Sequence, residues 1–175
     1  APALLRSATT TLHGRDAELG EVQRLLTVAG LVTVTGVGGV GKTRVARAVA
    51  AREAWRDVAL CELDGVSEPG AVPFAVADAL GYPSLDAACQ ALGSGERLLV
   101  LDNCEHLLDA AARTVAELLG LCAGVTVLAT SREPLGLAEE HVLALGTLPL
   151  PEHDDPDAVG RSPAVQLLCD RAAAC

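Results

Sequence analysis

The sequence predicts an α/β protein built on a parallel sheet, and three observations carry that expectation. Short β-branched or aliphatic runs alternate with longer segments of helical periodicity, as in strands joined by crossover helices. Half of the 175 residues are hydrophobic, and these are chiefly Ala, Val and Leu, with one Trp, one Tyr and one Phe. That composition suits helices around a buried aliphatic sheet rather than an aromatic platform. Finally, the glycine-dense stretch TGVGGVGKTR, Thr35 to Arg44, lies where a β-branched run passes into an Ala-rich helical one. The length suits one domain rather than two.

Each element follows from its local pattern. After HGRDAEL, Leu19, Val22, Leu25 and Leu26 recur on one helical face, and Gly30 ends that helix. LVTVT, Leu31 to Thr35, reads as a short, fully buried strand. Thr43 to Trp55 is an Ala-rich helix with Val45 and Val49 toward the sheet. Asp57 to Leu63 is a second strand, and the Gly65–Pro69 turn leads to an apolar helix closed near Gly81. Ser84 to Leu92 forms a further short helix. RLLVLD, Arg97 to Asp102, is the next strand; DAAARTVAELLGLC is the next helix; Val125 to Arg132 is a strand again. His141 to Leu145 is a last short strand. The acidic, Pro-rich LPLPEHDDPD reads as a linker before a final helix, capped by Ser162 with Pro163 at its first position.

Charge and cysteine usage exclude several functions. The net charge of −10 disfavours direct binding to a nucleic-acid backbone or an anionic membrane. Cys61, Cys89, Cys104, Cys122, Cys169 and Cys175 form no C-x-x-C pair and sit mostly among apolar neighbours. They read as buried small hydrophobes, not as disulfides or metal ligands. No window approaches the ~18 apolar residues of a membrane span, and APALLRSATTTL lacks the charged segment and long apolar stretch of a secretory leader. A soluble, cytoplasmic protein is expected. The sequence begins without Met and ends inside the helical pattern SPAVQLLCDRAAAC, as a piece of a longer chain would.

Gly36-Val37-Gly38-Gly39-Val40-Gly41-Lys42-Thr43 matches the phosphate-loop template G-x-x-x-x-G-K-[ST] at every fixed position, between a strand and a helix. Glycines let backbone N–H groups approach a β-phosphate with no Cβ in the way. The helix that starts near Lys42 turns its positive end to the same anion. Lys42 supplies a point charge to the β- and γ-phosphates, and the Thr43 hydroxyl is placed to ligate Mg²⁺. The loop, with the following Arg44, is thus the expected nucleotide contact.

Two further motifs fit that ligand. Asp102, directly after the apolar run Leu98–Leu101, supplies the carboxylate a phosphate-bound Mg²⁺ needs at the end of a neighbouring strand. Many ATPases place a Glu next, to orient the attacking water; here position 103 is Asn, which orients water but accepts no proton. Glu105 is either the base or a solvated residue opening the next helix. In VLATSRE, Arg132 follows Thr130 and Ser131 at the carboxyl edge of the sheet, where ligands bind in open α/β folds. It either senses the γ-phosphate or is a surface residue starting a loop. The isolated histidines receive no role.

Together, LHGRDAELGEV, GVGGVGKTRVA, LLVLDNCEHLLD, VLATSREPLGLAEEHV and SPAVQLLCDRA resemble the NB-ARC-like branch of the STAND signal-transduction ATPases. The likeness is to the ATPase modules of large actinobacterial regulators of the antibiotic-regulatory and LuxR types. It spans about Leu12 to Cys175. It implies a three-layer P-loop NTPase core of ASCE type with strand order 5-1-4-3-2, placing the Arg132 strand between the phosphate-loop and Asp102 strands. Gly14 and Arg15 match the family element near the adenine end, and Arg132 matches its sensor arginine.

By the same resemblance the chain is an ATP/ADP switch with slow, Mg²⁺-dependent hydrolysis, joined to other domains of a longer regulator and able to form nucleotide-dependent homo-oligomers. Residues 1–150 would be the nucleotide-binding domain; residues 151–175 would be a linker and the start of a helical region. The family's downstream Gly-x-Pro and His-containing contacts would lie beyond Cys175. A fast-turnover ATPase or a small-molecule kinase is the competing reading; a kinase lid should cluster arginines where this chain offers Arg161 and Arg171. A scaffold that has lost its nucleotide is a third, opposed by intact Lys42, Thr43, Asp102 and Arg132.

Overall fold

The computed structural model describes residues 12–52, 57–92, 95–150 and 156–173. Five strands, β1 (Leu31–Thr35), β2 (Asp57–Glu62), β3 (Arg97–Asp102), β4 (Val125–Ser131) and β5 (Glu140–Ala144), form one sheet in the order β2-β3-β4-β1-β5. Every pairing is parallel. Read from the other edge this is 5-1-4-3-2, the order the family resemblance implies. Registry aligns the carboxyl ends: Thr35 lies beside Ser131 and Ala144, and Glu62 beside Asp102. The loops leaving β1, β3 and β4 therefore open on one edge.

Alternation along the strands divides the core into two layers. On one side, Leu31, Leu99, Leu101, Val127 and Ala129 pack with α3 (Val72–Leu80), α4 (Leu85–Leu92) and α5 (Leu108–Leu121). On the other, Val32, Val34, Leu98, Val100 and Leu128 pack with α1 (Asp16–Leu26) and α2 (Lys42–Arg52). Both faces are covered, so the central strands read as unbroken apolar runs instead of alternating ones. Each such Leu or Val contributes about 1.5–3 kcal/mol by burial. Truncating Leu128, fully buried against α1 and α2, would cost about 2–5 kcal/mol.

Element ends follow local chemistry. Gly81, at φ 87°, closes α3 with the Tyr82 and Gly81 amides donating to the Ala77 and Asp78 carbonyls. That is a left-handed glycine cap. Ser84 Oγ accepts the Ala87 amide at 3.2 Å, satisfying an orphan donor at the start of α4.

Several boundaries differ from the sequence expectation. The first helix stops at Leu26, four residues before Gly30, where the Thr27 hydroxyl bonds the Arg24 carbonyl. Strand β4 ends at Ser131, leaving Arg132 on the loop. Part of the expected linker is helical: α6 (Pro156–Arg161) precedes α7 (Pro163–Ala173). The Ser162 hydroxyl between them donates to the Pro149 carbonyl at 3.4 Å, tying the turn to the chain leaving the sheet. Trp55 and Cys175 lie outside the described residues. No helix among the described residues is long and apolar enough to cross a membrane.

Candidate functional site

The phosphate loop sits at the carboxyl end of the internal strand β1, between β4 and β5. Gly39 and Gly41 have φ of 79° and 105°, and a Cβ on either would meet nothing within 4 Å. Here glycine serves backbone conformation and open approach together. Gly36 is constrained differently: at φ 152°, its Cβ would lie 2.7 Å from the Leu145 carbonyl oxygen. Leu145 in turn donates its amide to the Thr35 carbonyl at 2.7 Å. Loop and β5 exit are thus locked edge to edge.

Lys42 opens α2 and is only 7% exposed. Its ammonium donates to the Gly36 carbonyl at 2.9 Å and the Val37 carbonyl at 3.4 Å. These are neutral acceptors for a buried cation, and a phosphate oxygen would be a stronger, charge-assisted one. One residue on, the Thr43 hydroxyl donates to Asp102 Oδ1 at 2.9 Å. The metal-ligand pair expected from sequence is thereby assembled from α2 and β3, 59 residues apart.

Asp102 is buried, and Thr130 holds it. The Thr130 hydroxyl donates to the same Oδ1 and accepts the Asn103 amide at 3.0 Å. Sequence reading registered Thr130 only as part of a polar pair; that it positions Asp102 emerges from the β3–β4 pairing. Asn103 is the sole described non-glycine residue with positive φ, at 66°. Left-handed backbone costs an L-residue roughly 1–2 kcal/mol, and Asn tolerates it best. The turn it makes carries the chain off β3 into the short helical turn Cys104–His106.

That turn brings Glu105 to the phosphate cleft. Glu105 Oε1 accepts a hydrogen bond from Arg132 Nε at 3.2 Å, while Oε2 is buried without a hydrogen-bond partner among the described residues. Arg132 is largely exposed and reaches across the cleft, its Nη2 3.9 Å from where a Cβ on Gly38 would stand. The two residues left open by sequence reading are therefore paired with one another, and both line the cleft with Lys42, Thr43 and Asn103.

A second cleft adjoins the first, sharing Gly39, Gly41 and Arg44. Its walls are apolar at Leu12, Val40, Leu148 and Leu167 and cationic at Arg171. Arg15 lies in its floor, 4% exposed. Its guanidinium is used within the protein, donating to Glu18 at 2.7 Å, to the Gly146 carbonyl at 2.6 Å and to the Val40 carbonyl at 3.5 Å. Gly14, at φ 63°, packs against Pro163 of α7. His13 Nε2 meets the Asp170 carboxylate at 2.6 Å, so α7 leans over this end of the site.

A charged loop beside an apolar, partly roofed cleft suits a nucleotide, with phosphates over Lys42 and the base beside Val40 and Leu167. Thr43 and Asp102 offer hard oxygen donors, and phosphate oxygens and water would complete a Mg²⁺ shell. Among the described residues no group of three or more His, Cys, Asp or Glu could hold a metal by itself.

Known proteins resemble the chain in sequence and in fold. No protein-family model matches it. It is 41% identical over 159 residues to predicted HTH-type transcriptional regulators of Mycobacterium tuberculosis and Mycobacterium bovis, across 86% of this chain and 17% of theirs. An uncharacterized Mycobacterium tuberculosis protein is 37% identical over 180 residues, covering 95% of this chain and 42% of its own length. The chain thus spans less than half the length of these curated relatives, and about a sixth of the regulators. Among solved structures, a chain of the HORMA:CdnC:Trip13 complex of E. coli MS115-1 superposes with a TM-score of 0.58 at 16% identity, over 85% of this chain and 68% of that one. A chain of the Drosophila ORC complex with AT-rich DNA and Cdc6 gives 0.53 at 13%, over 87% and 58%. This chain has the three-layer P-loop ATPase fold, and its sequence matches a segment of much longer mycobacterial relatives.

Proposed function

We propose that this chain is the ATP- and ADP-binding switch module of a longer, cytoplasmic transcriptional regulator, with slow Mg²⁺-dependent ATP hydrolysis. The observation that carries the reading is the convergence of Lys42, Thr43 and Asp102 on one open loop at the carboxyl edge of a parallel sheet. Lys42 exchanges its bonds to the Gly36 and Val37 carbonyls for phosphate oxygens. Thr43 and Asp102, the latter held by Thr130, would hold the cation. A Mg²⁺ ion held there would supply charge neutralisation for the phosphates. Arg132, which lines the same cleft, stabilises the terminal phosphate in this reading.

Slow turnover follows from the residue after Asp102. Asn103, standing where many ATPases carry a Glu, orients water but takes no proton from it. Output through attached domains belongs to the same proposal and is supported by relatives several times longer than this chain; nucleotide-dependent self-association is proposed with it.

The test is calorimetric titration of ADP and ATP with Mg²⁺ into the parent protein and Lys42→Ala. Loss of both affinities is expected, with the unfolding midpoint unmoved by nucleotide in the variant. Retained affinity in Lys42→Ala refutes the reading. Parent turnover at about 1–100 per second would instead identify a fast ATPase or kinase.

A further inference from the structure

We infer that Glu105 sets the discrimination between nucleoside tri- and diphosphate by competing with the terminal phosphate for Arg132. This rests on the nucleotide-binding reading above and adds a control to that site. Glu105 is three residues past Asp102, and the left-handed turn at Asn103 delivers it to the cleft wall. The Glu105 side chain is 16% exposed and Arg132 is 67% exposed. The carboxylate is therefore anchored in the wall, and the guanidinium is the mobile member of the pair.

Among the described residues Arg132 pairs with one carboxylate, Glu105 Oε1 at 3.2 Å, and its other end lies beside Gly38 of the phosphate loop. A γ-phosphate over Gly38 and Lys42 would offer Arg132 a second anion on the opposite side. One guanidinium then chooses between a carboxylate and a phosphate, and planar bidentate geometry suits either. A diphosphate ends short of this position and leaves the Glu105–Arg132 pair closed. A triphosphate must draw Arg132 away, which lowers its net affinity by whatever the pair contributes. The transfer also frees Glu105 beside the cleft when the terminal phosphate is present. A partly exposed ion pair contributes modestly, so the effect on affinity should be about two- to fivefold.

The experiment measures affinities of ADP and of a β,γ-imido ATP analogue, both with Mg²⁺, for the parent, Glu105→Gln, Arg132→Ala and the double variant. The readout is the analogue-to-ADP affinity ratio, because a merely structural lesion weakens both ligands together. Glu105→Gln is expected to shift the ratio about two- to fivefold toward the analogue, and Arg132→Ala to shift it toward ADP. In the Arg132→Ala background, Glu105→Gln should leave the ratio unmoved, since the effect passes through the arginine. An unchanged or reversed ratio in Glu105→Gln overturns the inference while leaving nucleotide binding standing. So does a shift that persists without Arg132, which would mark simple repulsion between Glu105 and the added phosphate charge. A parent that binds neither ligand brings down the underlying reading as well.

Discussion

Gly14→Ala tests how α7 is held over the cleft. At φ 63° the new methyl would occupy a backbone conformation that costs an L-residue about 1–2 kcal/mol. It would also stand 2.5 and 2.6 Å from Cγ and Cβ of Pro163. Carbon contacts relax near 3.5 Å, so the ring must withdraw by roughly 1 Å. Pro163 is rigid and begins α7, so the displacement passes to the whole helix. Absorbing the clash in place would cost about 1–3 kcal/mol. No residue of α7 is buried, so lifting the helix is the cheaper response. The core should therefore lose only the backbone term, about 1–2 kcal/mol, a fall of about 2–8 °C in Tm for a chain of this size. Amide exchange across residues 163–173 should accelerate and ADP affinity should drop as the roof departs. Gly20→Ala, a helical position with open space, is the control and should stabilise by about 0.5–1 kcal/mol. A Gly14→Ala protein with parental Tm and undisturbed exchange in α7 refutes the packing argument.

The remaining predictions concern buried polar groups. Thr33 and Thr130 are both fully buried, but the Thr33 hydroxyl has no partner among the described residues and Thr130 bonds Asp102. Thr33→Val should gain roughly 1 kcal/mol in urea unfolding and Thr130→Val should lose roughly 1–3 kcal/mol; equal effects would contradict the assignment. Asp102→Ala should keep part of the ADP affinity yet abolish Mg²⁺-dependent phosphate release, and unchanged release would remove Asp102 from the metal site. Burial, reinforced by the charges of Asp78 and Glu62, pushes the Cys61 thiol up to about 12. The unfolded chain then sheds this proton first, so stability conferred by the protonated thiol is complete below its ordinary value near 9 and declines as pH rises toward 12. Cys61→Ala should flatten the loss of unfolding free energy above pH 9 by up to about 1.4 kcal/mol per pH unit, and an identical slope would refute it. Cys104 shifts in the same direction for the same leading reason.

What the sequence alone determined are the properties that short windows encode. Leu31–Thr35 and Arg97–Asp102 were legible as strands because a parallel sheet covered on both faces demands unbroken apolar runs. The phosphate loop was legible because its glycines, lysine and threonine lie within eight consecutive residues, Gly36 to Thr43. Periodicity says nothing about strand order; that came from the resemblance and agrees with the sheet. Tertiary structure decided the pairings between distant segments: Thr130 on Asp102, Glu105 with Arg132, Gly14 under Pro163 and His13 with Asp170. Each depends on which strands are neighbours and on how the chain turns off the sheet, quantities carried by no single window. The short helix α6 was hidden for a related reason, since an acidic, Pro-rich segment reads as linker until its neighbour α7 is seen to fold back. Local sequence therefore named the groups expected to meet a phosphate, and the fold decided which partner each of them holds.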